Sequence, residues 1–306
     1  MKSKNSDNKY TIVTIGTFDG VHIGHQKIIK RIVTVGKEQS LKPTILTFFP
    51  HPRMVLQKDA NIKLINTMKE KETLLKGFGL ENMVVEKFTQ DFSRLTAKSF
   101  VEDILIKKLK AKHVIIGYDH HFGRNRSANI EDLKSFGLQY GFEVEEITAQ
   151  DINDVAVSST KIRKALFEGD ITTANTYLGY PFMLSGHVVK GNGIGRTLNF
   201  PTANIEIDET YKLIPKEGVY VVKTKIEGNT IFGMMNIGTN PTVNGKLQTI
   251  EAHFFNWKTT LYDVKLNVEL LERLRDEEKF ESVNVLKEQL KQDKINALTF
   301  INNYAQ

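Results

Sequence analysis

Ile12-Val13-Thr14-Ile15-Gly16-Thr17-Phe18-Asp19-Gly20-Val21-His22-Ile23-Gly24-His25 decides the fold of the first half of the chain. Four β-prone residues run into a turn holding two glycines, after which apolar residues recur at spacings of three and four. That order reads as strand, tight turn and helix. Working outward, β-rich runs fall at Tyr10–Ile15, Pro43–Phe49, Asn82–Phe88, Lys112–Gly117 and Phe142–Ile147. Helical spacing occupies His25–Val35, Met68–Phe78, Thr96–Leu109 and Ile130–Tyr140 between them. The alternation predicts an α/β domain with a parallel sheet covered by helices on both faces.

Beyond Leu184 the rhythm changes. Strand-like runs at Ser185–Lys190, Gly218–Ile226, Thr230–Ile237 and Thr249–Phe255 are separated by Gly, Asn and Pro turns, which predicts a small antiparallel barrel. Glu281–Tyr304 returns to helical spacing through Val285, Leu286, Leu290, Ile295, Leu298 and Ile301, a face expected to pack on the barrel. Ser158–Tyr180 reads as a helical bridge ending in Gly179-Tyr180-Pro181, so the domains are expected to span 1–181 and 182–306.

Composition bounds the chemistry. The 306 residues suit two domains, and 40% hydrophobic with 25% charged residues excludes extended disorder and fibrous classes. With no cysteine, disulfides, thiolate nucleophiles and Cys-held metals are excluded, leaving oxygen, nitrogen or bound-ion chemistry. No apolar run reaches membrane-spanning length and the N-terminus is polar, so no membrane partner and a cytoplasmic location are expected. The net charge of +6 suits phosphate-bearing small molecules. Basic residues are dispersed without a nucleic-acid-binding pattern, so no nucleic-acid partner is expected, and the chain is read as a monomer or weak homo-oligomer.

His22 and His25 stand three apart at a helix N-terminus, where unpaired N–H groups and the helix dipole favour a triphosphate and Gly24 allows close approach. Taken alone, His-x-x-His is more often a metal site or a surface pair. The whole string closely resembles the GxFDGxHxGH signature of nucleotidylyltransferases in the form found in bacterial FAD synthetases. Thr47-Phe48-Phe49-Pro50-His51-Pro52, Gly117-Tyr118-Asp119 to Phe122-Gly123, and Val157-Ser158-Ser159-Thr160-Lys161-Ile162-Arg163 resemble three further segments of that family in the same order. The resemblance implies a Rossmann-like nucleotidylyltransferase domain that transfers the adenylyl group of ATP to FMN, releasing pyrophosphate. It implies that His22, His25 and Arg163 stabilise the triphosphate. ATP is assigned to Gly16, Thr17, Phe18, Asp19, Gly20, Gly24, Ser159 and Thr160, and the flavin side to Phe49, His51, Pro52 and Asp119. His120-His121 departs from the family pattern, which usually has Phe after the acidic residue.

Gly191-Asn192-Gly193-Ile194-Gly195-Arg196-Thr197 lacks both dinucleotide-binding glycine spacing and a P-loop ending, and by itself reads as a mobile hairpin loop. The next residues, Asn199-Phe200-Pro201-Thr202-Ala203-Asn204, resemble the PTAN motif that follows such a flap in riboflavin kinases. Asn236–Thr242 resembles that family's NxGxxPT turn, Ile250-Glu251-Ala252-His253 its (V/M)ExH strand, and Leu274-Arg275 to Phe280 its LRxExxF element. Leu261-Tyr262-Asp263 resembles LYG with Asp in place of Gly. The resemblance implies Glu251 as base for the riboflavin 5′-hydroxyl and Thr202 and Asn204 as Mg²⁺ ligands. It also implies Gly191, Gly193, Gly195 and Arg196 as ATP-phosphate cover, with Arg275 on the flavin side. Alternation puts Glu251 and His253 on one strand face and Ile250 and Ala252 on the other; a lone strand Glu is also compatible with a solvent-facing position. Together the motifs imply a bifunctional riboflavin kinase/FAD synthetase that uses ATP and Mg²⁺, with riboflavin, FMN and FAD as substrates and products. The alternatives are a chain keeping one activity, or a flavin- or nucleotide-sensing RNA-binding regulator.

Overall fold

The computed structural model describes residues 9–57, 61–80, 82–117, 120–148, 157–191, 193–242, 245–257 and 259–304. The chain forms two compact units, one from Met1–Lys63 with Met68–Ser158 and the other from Leu64–Thr67 with Ser159–Gln306.

The first unit is a five-stranded sheet in the order β3-β2-β1-β4-β5, built from β1 (Thr11–Ile15), β2 (Lys42–Phe49), β3 (Asn82–Lys87), β4 (Ala111–Gly117) and β5 (Glu143–Ile147). Every pairing is parallel. Neighbouring residues feed opposite faces: Val13, Leu46 and Val114 join one core, whereas Ile12, Ile45 and Ile115 join the other. Burial on both faces explains why these strands read as continuous apolar runs. Helix α1 (Ile23–Glu38) buries Ile29, Ile32 and Val35 in the second of these cores. Next come α2 (Pro52–Leu56), α3 (Met68–Gly77), α4 (Gln90–Ser93) and α5 (Ala97–Ser99), which runs on into a π-helix at Phe100–Lys108. Helix α6 (Ile130–Tyr140) begins in a capping box made by Asn129 and Asp132 and ends at Gly141 in left-handed conformation, the punctuation that made its limits readable.

The second unit holds α7 (Ser159–Glu168), α8 (Ile171–Leu178), β6 (Met183–Val189), α9 (Ile194–Thr197), β7 (Ala203–Glu206), β8 (Gly218–Ile226), β9 (Asn229–Thr242), β10 (Gly245–Phe254), β11 (Lys265–Arg275) and α10 (Val283–Tyr304). Its strands close into an antiparallel barrel, β10-β7-β6-β11-β8-β9. Residues 159–181 pack with this barrel. Asn175 donates to Leu270 O and accepts from Phe182 N–H, and Lys216 N–H donates to Leu166 O. The four-residue segment Leu64–Thr67 is also part of this unit. Leu64 pairs with Lys212, and the buried Lys212 ammonium donates to Ile65 O at 2.6 Å while lying over the Phe182 ring.

Three expectations change. Asn236–Thr242, read as a turn, lies within β9, with Pro241 paired to Lys246 near the hairpin end, where a missing N–H is tolerated. The Gly191–Thr197 loop contains the short helix α9 rather than a plain hairpin, and Phe200 N–H returns to Gly195 O at 2.8 Å. On α10 only Leu286, Leu290 and Ile301 of the expected face pack on the barrel, together with Ala297 and Phe300, while Val285, Ile295 and Leu298 face outward. The seam is turned toward buried Asp293, which holds Arg275.

Candidate active sites

In the first unit β1 delivers the chain into Gly16–Val21, a turn with left-handed backbone at Phe18 (φ 46°), Gly20 (φ 87°) and Val21 (φ 37°). Only the glycine adopts that region without steric cost. Two donors meet on one carbonyl of this turn: Thr47 Oγ1 at 3.1 Å and the Lys71 ammonium at 2.7 Å both reach Thr17 O. The turn ends at His22, the N-cap of α1, whose Nδ1 accepts from His25 N–H at 3.4 Å. In neutral His22 the proton is therefore on Nε2, available for donation. The two imidazoles stack with centroids 3.6 Å apart and planes 17° apart.

Burial lowers the His22 pKa to about 4 against the opposing pull of Asp19, and it lowers His25 well below the usual range, helped by the nearby His22 and Lys71. Both rings are thus neutral donors at pH 7. The first turn of α1 has no acidic residue. The His25 Nδ1 atom is buried with no hydrogen-bond partner, an atom ready for a ligand. These features suit an anion whose charge moves during reaction. Phe18 is buried with its ring 4.9 Å from His25, and Asp19 and Gly24 are buried beside it.

On the expected flavin side, His51 caps α2 by accepting from Arg53 N–H, Pro52 opens that helix, and Phe49 ends β2 half-buried. Asp119 lies outside the described residues. His120 stacks on Phe122, centroids 6.3 Å apart at 21°, so a planar ring is kept where the family pattern has Phe. Ser159, Thr160 and Arg163 form the opening of α7 and belong to the second unit.

In the second unit the flap, the PTAN segment and Glu251 come together. Glu251 on β10 pairs directly with Asn204 on β7, so the two side chains share a face, and Thr202 Oγ1 donates to Glu251 Oε2 at 3.0 Å. Ile250 and Ala252 are buried on the opposite face. A Cβ at Gly191 would lie 2.2 Å from Asn204 Nδ2, and one at Gly195 would lie 2.3 Å from Phe200 O and 3.3 Å from Thr202 Oγ1. These glycines let the flap backbone lie directly on the two residues expected to hold Mg²⁺. Gly193 adopts φ +72°, and Arg196 is exposed. His253 Nδ1 donates to Pro201 O at 2.8 Å, next to Thr202, and its ring meets Phe200 and Phe255 edge-on.

Arg275, at the end of β11, is held by α10: its Nε and Nη2 clasp Asp293 at 2.9 and 2.8 Å, and Nη1 donates to Asp276 O. Asp263 adopts φ +62°, a conformation Asp tolerates, so the turn survives the exchange for glycine. Sequence reading missed Lys71 and Asp293. Each looks like an ordinary solvated residue on an amphipathic helix, and only the tertiary structure buries them.

The family model for FAD synthetase matches residues 4–161 and that for riboflavin kinase matches residues 178–301. Curated relatives described as bifunctional riboflavin kinase/FMN adenylyltransferase include those of Buchnera aphidicola (40% identical over 290 residues), Listeria monocytogenes (35% over 291) and Escherichia coli (34% over 290). Each alignment covers 94% of this chain and 92% of the relative. A crystal structure from Streptococcus pneumoniae, described as a macrolide-efflux protein, superposes with TM-score 0.85 at 32% identity over 94% of both chains. Among the described residues no helix is long and apolar enough to cross a membrane.

Proposed function

The chain belongs to the bifunctional riboflavin kinase/FMN adenylyltransferase family, and from that premise we propose how its residues divide two successive reactions. The second unit phosphorylates riboflavin with ATP to give FMN. The first attaches the adenylyl group of a second ATP to the FMN phosphate, giving FAD and pyrophosphate. We propose 1–181 and 182–306 as the two catalytic modules, with residues 159–181 packed on the barrel of the second unit.

In the kinase step Glu251 takes the proton of the riboflavin 5′-hydroxyl as that oxygen attacks the γ-phosphorus of ATP, and ADP leaves. Thr202 Oγ1 holds the Glu251 carboxylate by its hydrogen bond before substrate arrives. Thr202 and Asn204 supply hard oxygen donors suited to Mg²⁺, and the Gly191 cradle leaves no room for any side chain beside the Asn204 carboxamide. When bound there, Mg²⁺ would neutralise charge on the ATP phosphates. Gly191, Gly193, Gly195 and Arg196 cover them, and Arg275 is assigned to the riboflavin side.

In the adenylyl step an FMN phosphate oxygen attacks the α-phosphorus of ATP, and the bond to pyrophosphate breaks. Neutral His22 and His25 donate hydrogen bonds to phosphate oxygens as negative charge collects on the leaving group, and Gly16, Thr17, Gly20 and Gly24 shape the approach. Phe49, His51, Pro52 and Asp119 are assigned to the flavin.

The observation that carries this division is that the stacked His22–His25 pair and the Thr202–Glu251 hydrogen bond belong to different compact units. A pair of variants tests it. Glu251→Gln keeps the shape of the base and lowers riboflavin phosphorylation about a hundredfold or more while FMN adenylylation persists. His25→Ala lowers adenylylation by about two to three powers of ten and leaves phosphorylation intact. Equal loss of both activities in either variant would overturn the assignment.

A further inference from the structure

The turn that aims His22 and His25 is costly to hold. Two non-glycine residues, Phe18 and β-branched Val21, sit at φ 46° and 37°. Residues in sparsely populated backbone regions persist only where their surroundings over-determine them. What over-determines this turn is visible at Thr17. Its carbonyl receives Thr47 Oγ1 from β2 and the Lys71 ammonium from α3. Thr47 is fully buried and Lys71 is 2% exposed. An ammonium so deeply placed is expensive unless its charge is compensated. The fully buried Asp19, in the same turn, acts on it electrostatically.

We propose that Lys71 is a positioning residue of the adenylyl-transfer site: it pins the strained Gly16–Val21 turn through Thr17 O and sets the charge environment of His25. The inference rests on the assignment of His22 and His25 to adenylyl transfer. The titratable groups facing His25 are His22 and Lys71, with Asp19 acting on both of these. A positive charge there works against protonation of His25, so Lys71 helps keep the ring in its neutral, hydrogen-bonding form.

The test uses the full chain with Lys71→Met, which removes donor and charge at similar length, and Thr47→Val, which removes only the second donor. Lys71→Met should lower the kcat of FMN adenylylation about ten- to a hundredfold, leave riboflavin phosphorylation within twofold of the parent, and raise the His25 ring titration followed by NMR. Thr47→Val should lower adenylylation severalfold, and the double variant should lose less than the product of the two single effects, because both donors serve one carbonyl. Unchanged adenylylation in Thr47→Val overturns the pinning role even if Lys71→Met fails to fold. A fall in kcat with an unmoved His25 titration overturns the charge role. His25→Ala is the separate control: full adenylylation in that variant would sink the assignment of the site, whatever Lys71 does.

Discussion

Removing residues 159–181 from the barrel should unfold it. Helices α7 and α8 bury Ile162, Leu166, Ile171 and Leu178 to 1% exposure or less within the second unit. At about 1.5–3 kcal/mol for each fully buried aliphatic side chain, their loss costs about 6–12 kcal/mol. That matches the whole stability of an ordinary domain, about 5–15 kcal/mol. A fragment 182–306 is therefore expected to be unfolded or aggregated, although the change of sequence rhythm near residue 182 marks it as a module. A fragment 159–306 is expected to melt cooperatively and phosphorylate riboflavin. It still lacks Leu64–Thr67, so buried Lys212 loses its Ile65 O acceptor and the fragment should melt below the corresponding transition of the full chain. Circular-dichroism melts and a riboflavin phosphorylation assay on both fragments decide the matter. Were 182–306 to melt within about 5 °C of 159–306, the packing of α7 and α8 would be worth about 1 kcal/mol and the reasoning would be wrong.

Other consequences are as direct. His22 binds a proton near pH 6.5 when unfolded but only near pH 4 when folded. The unfolded state therefore holds more protons between those values, and the first unit should lose about 3 kcal/mol as pH falls through that window. His22→Asn should flatten the dependence of its melting temperature on pH, and parallel curves would contradict the shift. Asp293→Ala strips the partner from the Arg275 guanidinium and should destabilise the second unit by about 3 kcal/mol, read by denaturant titration. A loss under about 0.5 kcal/mol would show that the pair contributes little. His253→Phe keeps the edge-on ring contacts but removes the donor to Pro201 O, so kinase kcat should fall about tenfold while His253→Asn, which can donate from its amide, retains most of it. Equal effects of the two substitutions would argue against that hydrogen bond.

The readable parts of the fold share strong punctuation. The limits of Ile130–Tyr140 and Gly218–Ile226 agree with the sequence reading because Asn129 and Gly141 bracket the helix, and Gly218 and Glu227-Gly228 bracket the strand. β11 escaped because Leu266, Leu270, Leu271 and Leu274 also satisfy helical spacing, and its two register shifts break the alternation. β7 is four residues long inside a motif, too short to show any period. In the sites, the Glu251 face was legible from alternation alone. Lys71, Thr47 and Asp293 were not, because their roles depend on contacts made 18 to 54 residues away in the chain. His51 and Arg275 were placed by resemblance, and the structure adds the cap and the ion pair that hold each of them.

Chromatography of the products formed from riboflavin, ATP and Mg²⁺ by the full chain tests the central claim most directly. FMN should appear first and FAD should then accumulate, with ADP released in the first step and pyrophosphate in the second. FMN without FAD would leave a kinase alone, and neither product would contradict the account.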